Sequence, residues 1–223
     1  MLSALGEMLP LAVGIAISPI PVIAAILMLL SPKARTTSIG FLAGWLLGIG
    51  VAVTCFTLLS SVIPDDDSNA AKPVVGVIQL VFGAGLLLLA LRQWRSRPAA
   101  GDDAQLPKWM AAIDTMTPTR SFALGSLLAA VNPKNLLLGA GAGLALGTAD
   151  ITTGETIWVV LVFVLVAGAS VLAPVLAYLL AARAMAGPLE SLRVWLVRNN
   201  AAVMAVLLLV LAVVLIGKGI GNF

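Results

Sequence analysis

The chain has 223 residues, of which 61% are hydrophobic and 10% are charged, and its formal net charge is +3. Soluble domains are about 45–50% apolar and about 25% charged, so this composition excludes an ordinary soluble domain and indicates an integral membrane protein. The small positive charge does not indicate a nucleic-acid-binding protein, because the basic residues lie beside apolar segments. Since the chain has no histidine and only one cysteine, we expect no metal site and no other cofactor.

Six apolar segments follow one another along the chain, and each is about 20–27 residues long, which suits a membrane-spanning helix. The segments lack strict alternation of polar and apolar residues, so helices are favoured over the strands of a barrel. The spans are predicted at residues 5–30, 38–63, 74–94, 122–146, 157–182 and 195–216, with a last connection at 183–194.

The distribution of lysine and arginine predicts the orientation of these spans. Short basic connections stay in the cytoplasm, and the first, third and fifth connections carry most of the basic residues. The other connections and the termini carry only Lys72 and Lys218, whereas Lys134 lies inside a span. We therefore expect a multi-pass protein with both termini on the outer side of the membrane, which is the periplasmic or extracellular side in a bacterium.

Two proline-containing motifs interrupt the apolar sequence, SPIP at residues 18–21 in the first span and NPKN at residues 132–135 in the fourth. Three spans separate the motifs, so they belong to halves of opposite orientation, a pattern that points to the binding site of a transporter. We predict an all-α polytopic membrane protein whose single membrane domain covers residues 1–223. It contains two inverted three-helix repeats, at about 5–94 and 121–220, which are joined by a cytoplasmic connection at 95–120 and have broken first and fourth helices.

The chemistry of both motifs predicts that a helix restarts within the membrane. Serine and asparagine are favoured N-cap residues, and proline is favoured as the first residue of a helix. Each restart leaves free backbone N–H groups and the positive end of a helix dipole, which suit an anionic group. The predicted substrate-binding residues are Ser18, Pro19, Pro21, Asn132, Pro133, Lys134 and Asn135.

No interior of a predicted span contains an aspartate or glutamate that could pair with Lys134, and Glu7 lies near the outer end of the first span. Intramembrane lysines cost about 2.5–3.5 kcal/mol on insertion scales and are usually functional. Backbone carbonyls freed at the helix breaks, water in a cavity and an anionic ligand are the candidate partners. A structural alternative is a kinked helix whose lysine extends toward the headgroup region.

Glycines recur every fourth residue in the second and fourth spans, at Gly40, Gly44 and Gly48 and at Gly139, Gly143 and Gly147. This spacing lets two helices approach closely, and it predicts packing within the chain. A homodimer interface is the alternative.

The two motifs, taken with their flanks, resemble a known family. The segments ISPIPVIAAILMLLSPKAR at 17–35, GFLAGWLLG at 40–48 and VNPKNLLL at 131–138 resemble the actinobacterial GAP family of glycopeptidolipid- and sulfolipid-addressing proteins, within the lysine-exporter superfamily. The resemblance implies an inner-membrane protein that helps to move polar lipids toward the cell surface. It also implies functional importance for Pro19, Pro21, Asn132, Pro133 and Lys134. Amino-acid exporters of the superfamily have Pro-Gly-Pro in the first motif, whereas this chain has Pro19-Ile20-Pro21.

Three functions remain open from the sequence. The first is a transporter or flippase for a polar or anionic lipid with a site between the inverted halves, and its partners are membrane lipids. The second is an exporter of amino acids or similar small metabolites, and the third is a membrane scaffold of a lipid-export complex. An enzyme is not expected, because neither a histidine nor an intramembrane carboxylate is available for acid–base chemistry.

Overall fold

The computed structural model of the chain describes residues 1–60, 71–97, 112–113, 115–147, 149–221 and 223. Within these ranges the regular structure is helical, with no strand, which confirms the all-α prediction. Residues 98–111 and 114 of the predicted cytoplasmic connection lie outside the described residues. The described helices are α1 (Leu2–Ala16), α2 (Pro19–Leu29), α3 (Ala34–Ser60), α4 (Ala71–Arg95), α5 (Pro118–Ala130), α6 (Pro133–Gly147) and α7 (Thr153–Ile220).

Two of the described helices are individually long and apolar enough to cross a membrane, α3 and the Thr153–Gly217 part of α7. Helices α1 and α2 satisfy the same test together, although the chain bends by 56° between them. The described part of the chain therefore contains two candidate spans, or three if the bent pair is one span. These helices indicate a membrane protein, whereas six spans and an inverted repeat stay predictions.

Helix α7 consists of two helices joined at a kink, and the kink lies one residue before the predicted end of the fifth span at residue 182. The predicted connection at residues 183–194 is itself helical, and the departure from helical geometry is at Ala181, where φ is −146° and ψ is 55°. The segment is rich in alanine, leucine and arginine, which have high helix propensity. Glu190 and Arg193 add an ion pair at the i,i+3 spacing. Pro188 lies inside this helix, which therefore lacks one backbone hydrogen bond there.

The chain divides into two compact units, Met1–Ile63 with Leu106–Trp195 and Pro64–Gln105 with Leu196–Phe223. In the first unit α3 packs against α5 and α6, while α6 also packs against α1 and α2 packs against α3. In the second unit α4 and the end of α7 approach closely, because a Cβ on Gly83 would lie 2.6 Å from Cγ1 of Ile216. The motifs at residues 18–21 and 132–135 both belong to the first unit.

Glycines of α3 and α6 permit the close packing of the first unit. A Cβ added to Gly40 would lie 2.6 Å from the backbone oxygen of Pro118, and one added to Gly48 would lie 2.7 Å from Cβ of Ala129. Real Cβ atoms essentially never approach other heavy atoms closer than 3.0 Å. Internal packing is therefore confirmed for the glycines that face a neighbouring helix at such short range: Gly40, Gly44, Gly48, Gly143 and Gly147. Gly139 is less crowded, since its nearest neighbour would be 4.0 Å away.

Candidate functional site at two helix breaks

Among the backbone carbonyls that the break between α1 and α2 leaves without helical donors, those of Gly14 and Ile17 belong to the candidate site. In a continuous α-helix the N–H of residue i bonds to the carbonyl of residue i−4. The N–H of Ser18 would then bond to Gly14, but it donates to the carbonyl of Ala16 at 2.8 Å. Pro21 has no N–H, so the carbonyl of Ile17 also lacks its helical donor. Both carbonyls need another donor, because an unpaired buried carbonyl is costly.

Lys134 supplies that donor from α6. Its Nζ donates to the carbonyl of Gly14 at 2.8 Å, to the carbonyl of Ile17 at 3.0 Å and to Oγ of Ser18 at 2.6 Å. Lys134 is 4% exposed, and within the described part of the chain it forms no ion pair with a carboxylate. An ammonium group has three N–H donors, so all three are used. Of the three candidate partners named from the sequence, the freed backbone carbonyls are those that bond to Lys134 in the structure.

The break between α5 and α6 has the predicted N-cap. Oδ1 of Asn132 accepts a hydrogen bond from the backbone N–H of Lys134 at 3.0 Å, and Pro133 is the first residue of α6. Ser18 occupies the equivalent position before α2 with an extended backbone, but its hydroxyl makes no capping bond. The prediction of a side-chain cap was therefore wrong for Ser18, because its oxygen accepts from Lys134 instead.

Asn135 plays the same part at the second break as Lys134 plays at the first. Pro133 cannot donate to the carbonyl of Ala129, its partner in a continuous helix. Nδ2 of Asn135 donates to this carbonyl at 3.5 Å and to the carbonyl of Leu128 at 3.4 Å. Two adjacent side chains of α6 thus satisfy carbonyls at both breaks. Among the described residues, Oδ1 of Asn135 is buried and has no hydrogen-bond partner.

The structure joins three of the predicted residues by hydrogen bonds, since Lys134 bonds to Ser18 and to Asn132. Asn135 follows Lys134 on α6 and bonds to carbonyls at the other break. The prolines contribute by removing backbone donors. Sequence reasoning missed Gly14 and Ile17 as partners. The signal for Ile17 is its place four residues before Pro21, whereas Gly14 depends on the turn that diverts the N–H of Ser18.

The electrostatics of the site follow from its acceptors. A positive charge is buried against two carbonyl dipoles and a hydroxyl, with no formal negative charge among these three partners. Hydrogen bonds between an ammonium group and an anion are roughly twice as strong as bonds between neutral groups. The arrangement suits an anionic partner better than a neutral one, because an anion adds a Coulomb attraction that these neutral acceptors lack.

Comparison with known proteins identifies one family. The family model described as SfLAP, "Sap, sulfolipid-1-addressing protein", matches residues 8–221. No curated protein and no solved structure matches the chain. The matched range includes both helix breaks and the residues that bond across them.

Proposed function

The chain belongs to the family of the sulfolipid-1-addressing protein, and we propose that it moves a polar or anionic lipid across a bacterial inner membrane toward the cell surface. The apolar helices indicate that the protein lies in a membrane, and the family description supports a lipid substrate. The observation that carries the proposal is the buried ammonium group of Lys134, which joins α6 to the break between α1 and α2.

The proposed architecture has six spans in two inverted halves, with α1–α2 and α5–α6 as the broken helices. Both breaks are made alike, since in each a proline removes a backbone donor and a side chain of α6 replaces it. Similar breaks in opposite halves are typical of transporters that bind substrate between the halves. The basic connections support a topology in which both termini lie outside the cytoplasm.

Lys134 acts in this proposal as a latch that an anionic headgroup opens. In the latched state its three hydrogen bonds hold α6 against the α1–α2 break. When a lipid sulfate or phosphate takes one or more of these hydrogen bonds, the α1–α2 segment is freed to move relative to α6. Oδ1 of Asn135 offers an acceptor for a hydroxyl of the same headgroup. A ligand produces such a shift only through different affinities for the two states.

The test measures transfer of a fluorescent sulfated glycolipid and of its uncharged analogue across vesicles that contain the purified protein. At equal amounts of folded protein, we expect Lys134→Met to lose transfer of the sulfated lipid. Lys134→Arg retains part of it, because the charge survives although the geometry changes. Arg120→Met is the matched control, since it removes an exposed cation outside the site and leaves transfer intact. Full transfer by folded Lys134→Met would refute the latch.

The same vesicles distinguish the rival functions. Export of an amino acid without lipid transfer would indicate a small-metabolite exporter, and absence of both activities from a folded protein would indicate a scaffold. Orientation is tested in a Cys55→Ala background by labelling Ser96→Cys and Asp150→Cys from either side of the membrane. We expect Ser96→Cys to react from the cytoplasmic side and Asp150→Cys from the opposite side; the reverse result would overturn the topology. The proposed function involves neither catalysis nor a cofactor.

A further inference from the structure

A basic groove lies at the corner between α2 and α3, apart from the residues that surround Lys134. Its volume is about 450 Å³, within the range of about 300–1,000 Å³ that small-molecule pockets occupy. All of its residues belong to the first compact unit. It is lined by Ser31, Pro32, Lys33, Ala34, Arg35, Thr36 and Tyr178.

Two cations of this groove have no negative partner in the described part of the chain. Lys33 and Arg35 are both exposed, and neither forms an ion pair with a described carboxylate. Tyr178 of α7 is half-buried and gives the groove an aromatic wall with a polar tip. This combination suits a group that bears negative charge on several oxygens and is attached to a less polar body.

Hydrogen bonds hold the corner in one conformation. Ser31 is buried, and its Oγ donates to the carbonyl of Met28 at 2.8 Å. The carbonyl of Lys33 accepts from Oγ1 of Thr36 at 3.2 Å and from Oγ1 of Thr37 at 3.0 Å. The entropic cost of ordering the backbone when a ligand binds is therefore small, since these hydrogen bonds already order the loop.

The groove lies between two candidate membrane-spanning elements, so we expect it at the level of the lipid headgroups. The corner precedes α3, a candidate span, and follows α2, the second half of the bent pair that passes the same test. The end of a spanning helix meets the headgroup layer, where clustered basic residues attract anionic lipids. We propose that this groove binds the headgroup of an anionic membrane lipid through its sulfate or phosphate ester. The site is separate from the Lys134 latch, and binding there does not depend on lipid transfer.

The test follows the alkylation rate of Thr36→Cys, which places a thiol in the groove, in a Cys55→Ala background. The protein is held in nanodiscs of phosphatidylcholine with or without phosphatidylglycerol or a sulfated glycolipid. We expect the anionic lipids to slow alkylation of Thr36→Cys. In that background, replacing both cations by Lys33→Gln and Arg35→Gln should lower the affinity for the anionic lipid, read from the protection of Thr36→Cys, by about 30-fold. Each cation contributes about 1 kcal/mol near an anionic surface, and each 1.4 kcal/mol is a factor of ten in affinity.

Two controls separate a built site from general attraction to a charged membrane. Ser96→Cys is exposed beside Arg95 and Arg97 at the end of α4 but does not line the groove, so its alkylation should be much less affected. Arg120→Gln removes a cation near the start of α5, which packs against α3 near Gly40, and should leave the effect at Thr36→Cys unchanged. Equal slowing at both thiols, or full protection in the double glutamine variant, would overturn the proposal.

The source of the anion is tested in the same system. Inorganic sulfate or phosphate in nanodiscs of phosphatidylcholine alone should not protect Thr36→Cys. Protection by these free ions at the concentration of the lipid headgroups would overturn the assignment to a lipid. Because the readout is binding alone, a protein that binds lipid here but transfers none would sustain this site while contradicting the proposed transport.

Discussion

The backbone carbonyl of Ile17 accepts a hydrogen bond from Nζ of Lys134 at 3.0 Å, although 117 residues separate the two along the chain. In a continuous helix the carbonyl of Ile17 would be bonded by the N–H of residue 21, which is a proline. The lysine therefore serves as a substitute backbone donor. The break between α1 and α2 leaves carbonyls that need donors, and the buried ammonium group of Lys134 needs acceptors, so each group satisfies the other.

Replacing Lys134 with methionine should destabilise the protein. The change leaves two backbone carbonyls and the hydroxyl of Ser18 without their donor, and each unsatisfied buried acceptor costs about 1–3 kcal/mol. We expect the free energy of unfolding to fall by about 2–5 kcal/mol, allowing for the relief of a buried charge. Denaturant unfolding in detergent measures it. Lys33→Met, at an exposed position, should change it by less than about 0.5 kcal/mol. Equal stability of the two variants would contradict the hydrogen bonding described.

The bond between Ser18 and Lys134 should appear as a coupling energy. Oγ of Ser18 accepts from Nζ at 2.6 Å and makes no capping bond, so Ser18→Ala should matter mainly while the lysine is present. In a double-mutant cycle with Lys134→Met we expect a coupling of about 0.5–3 kcal/mol, the range for residues in one network. Additive effects would show instead that Ser18 stabilises the start of α2 independently of the lysine.

Pro21→Ala should make the protein less dependent on Lys134. Alanine restores an N–H that is able to bond to the carbonyl of Ile17, so the ammonium group loses part of its role. We expect the destabilisation caused by Lys134→Met to shrink by about 1 kcal/mol in this background. Pro10→Ala is the matched control, because Pro10 lies inside α1 away from the break. A similar reduction in both backgrounds would rule out the explanation based on Ile17.

Gly44→Ala should disrupt the packing of α3 against α5. A Cβ at this position would collide with the backbone of Phe122 and would lie 3.0 Å from the backbone nitrogen of Ser126. Overpacking of this kind costs about 1–3 kcal/mol. Gly6→Ala in α1 meets nothing within 4 Å and should be neutral or stabilising by up to about 1 kcal/mol. Thermal unfolding of both variants provides the measurement, and an unchanged midpoint for Gly44→Ala would argue against the close approach.

The helix breaks were predictable from the sequence because their causes are local. A cap residue followed by proline favours the start of a new helix, and Asn132-Pro133 begins α6 with the expected side-chain bond. The use of the Ser18 hydroxyl was not predictable, since the choice between a cap and a distant ammonium group depends on how α6 packs against α1. The same limit applies to Gly14, whose carbonyl is freed by a turn and not by a missing N–H.

The helical segment at residues 183–194 shows the opposite limit. Its low hydropathy predicted a connection between two spans, but hydropathy did not show that the connection would be helical. Charge counts in a membrane protein predict where the chain meets water more directly than they predict where a helix ends. The predicted end of the fifth span at residue 182 therefore agrees with the kink at Ala181, while the helical state of the connection follows from the propensity of its residues.

The bond between Lys134 and the first helix break also constrains the order of assembly. Synthesis produces α1 and α2 well before α6, so the carbonyls of Gly14 and Ile17 enter the membrane before their donor exists. Unsatisfied carbonyls are costly in hydrocarbon, which favours water or temporary partners at the break until α6 arrives. The α1–α2 segment is thus inserted before α6 and reaches its final hydrogen bonding only after α6 has arrived. In a chain truncated before residue 134, the carbonyls of Gly14 and Ile17 should stay without this donor, however apolar α1 and α2 are.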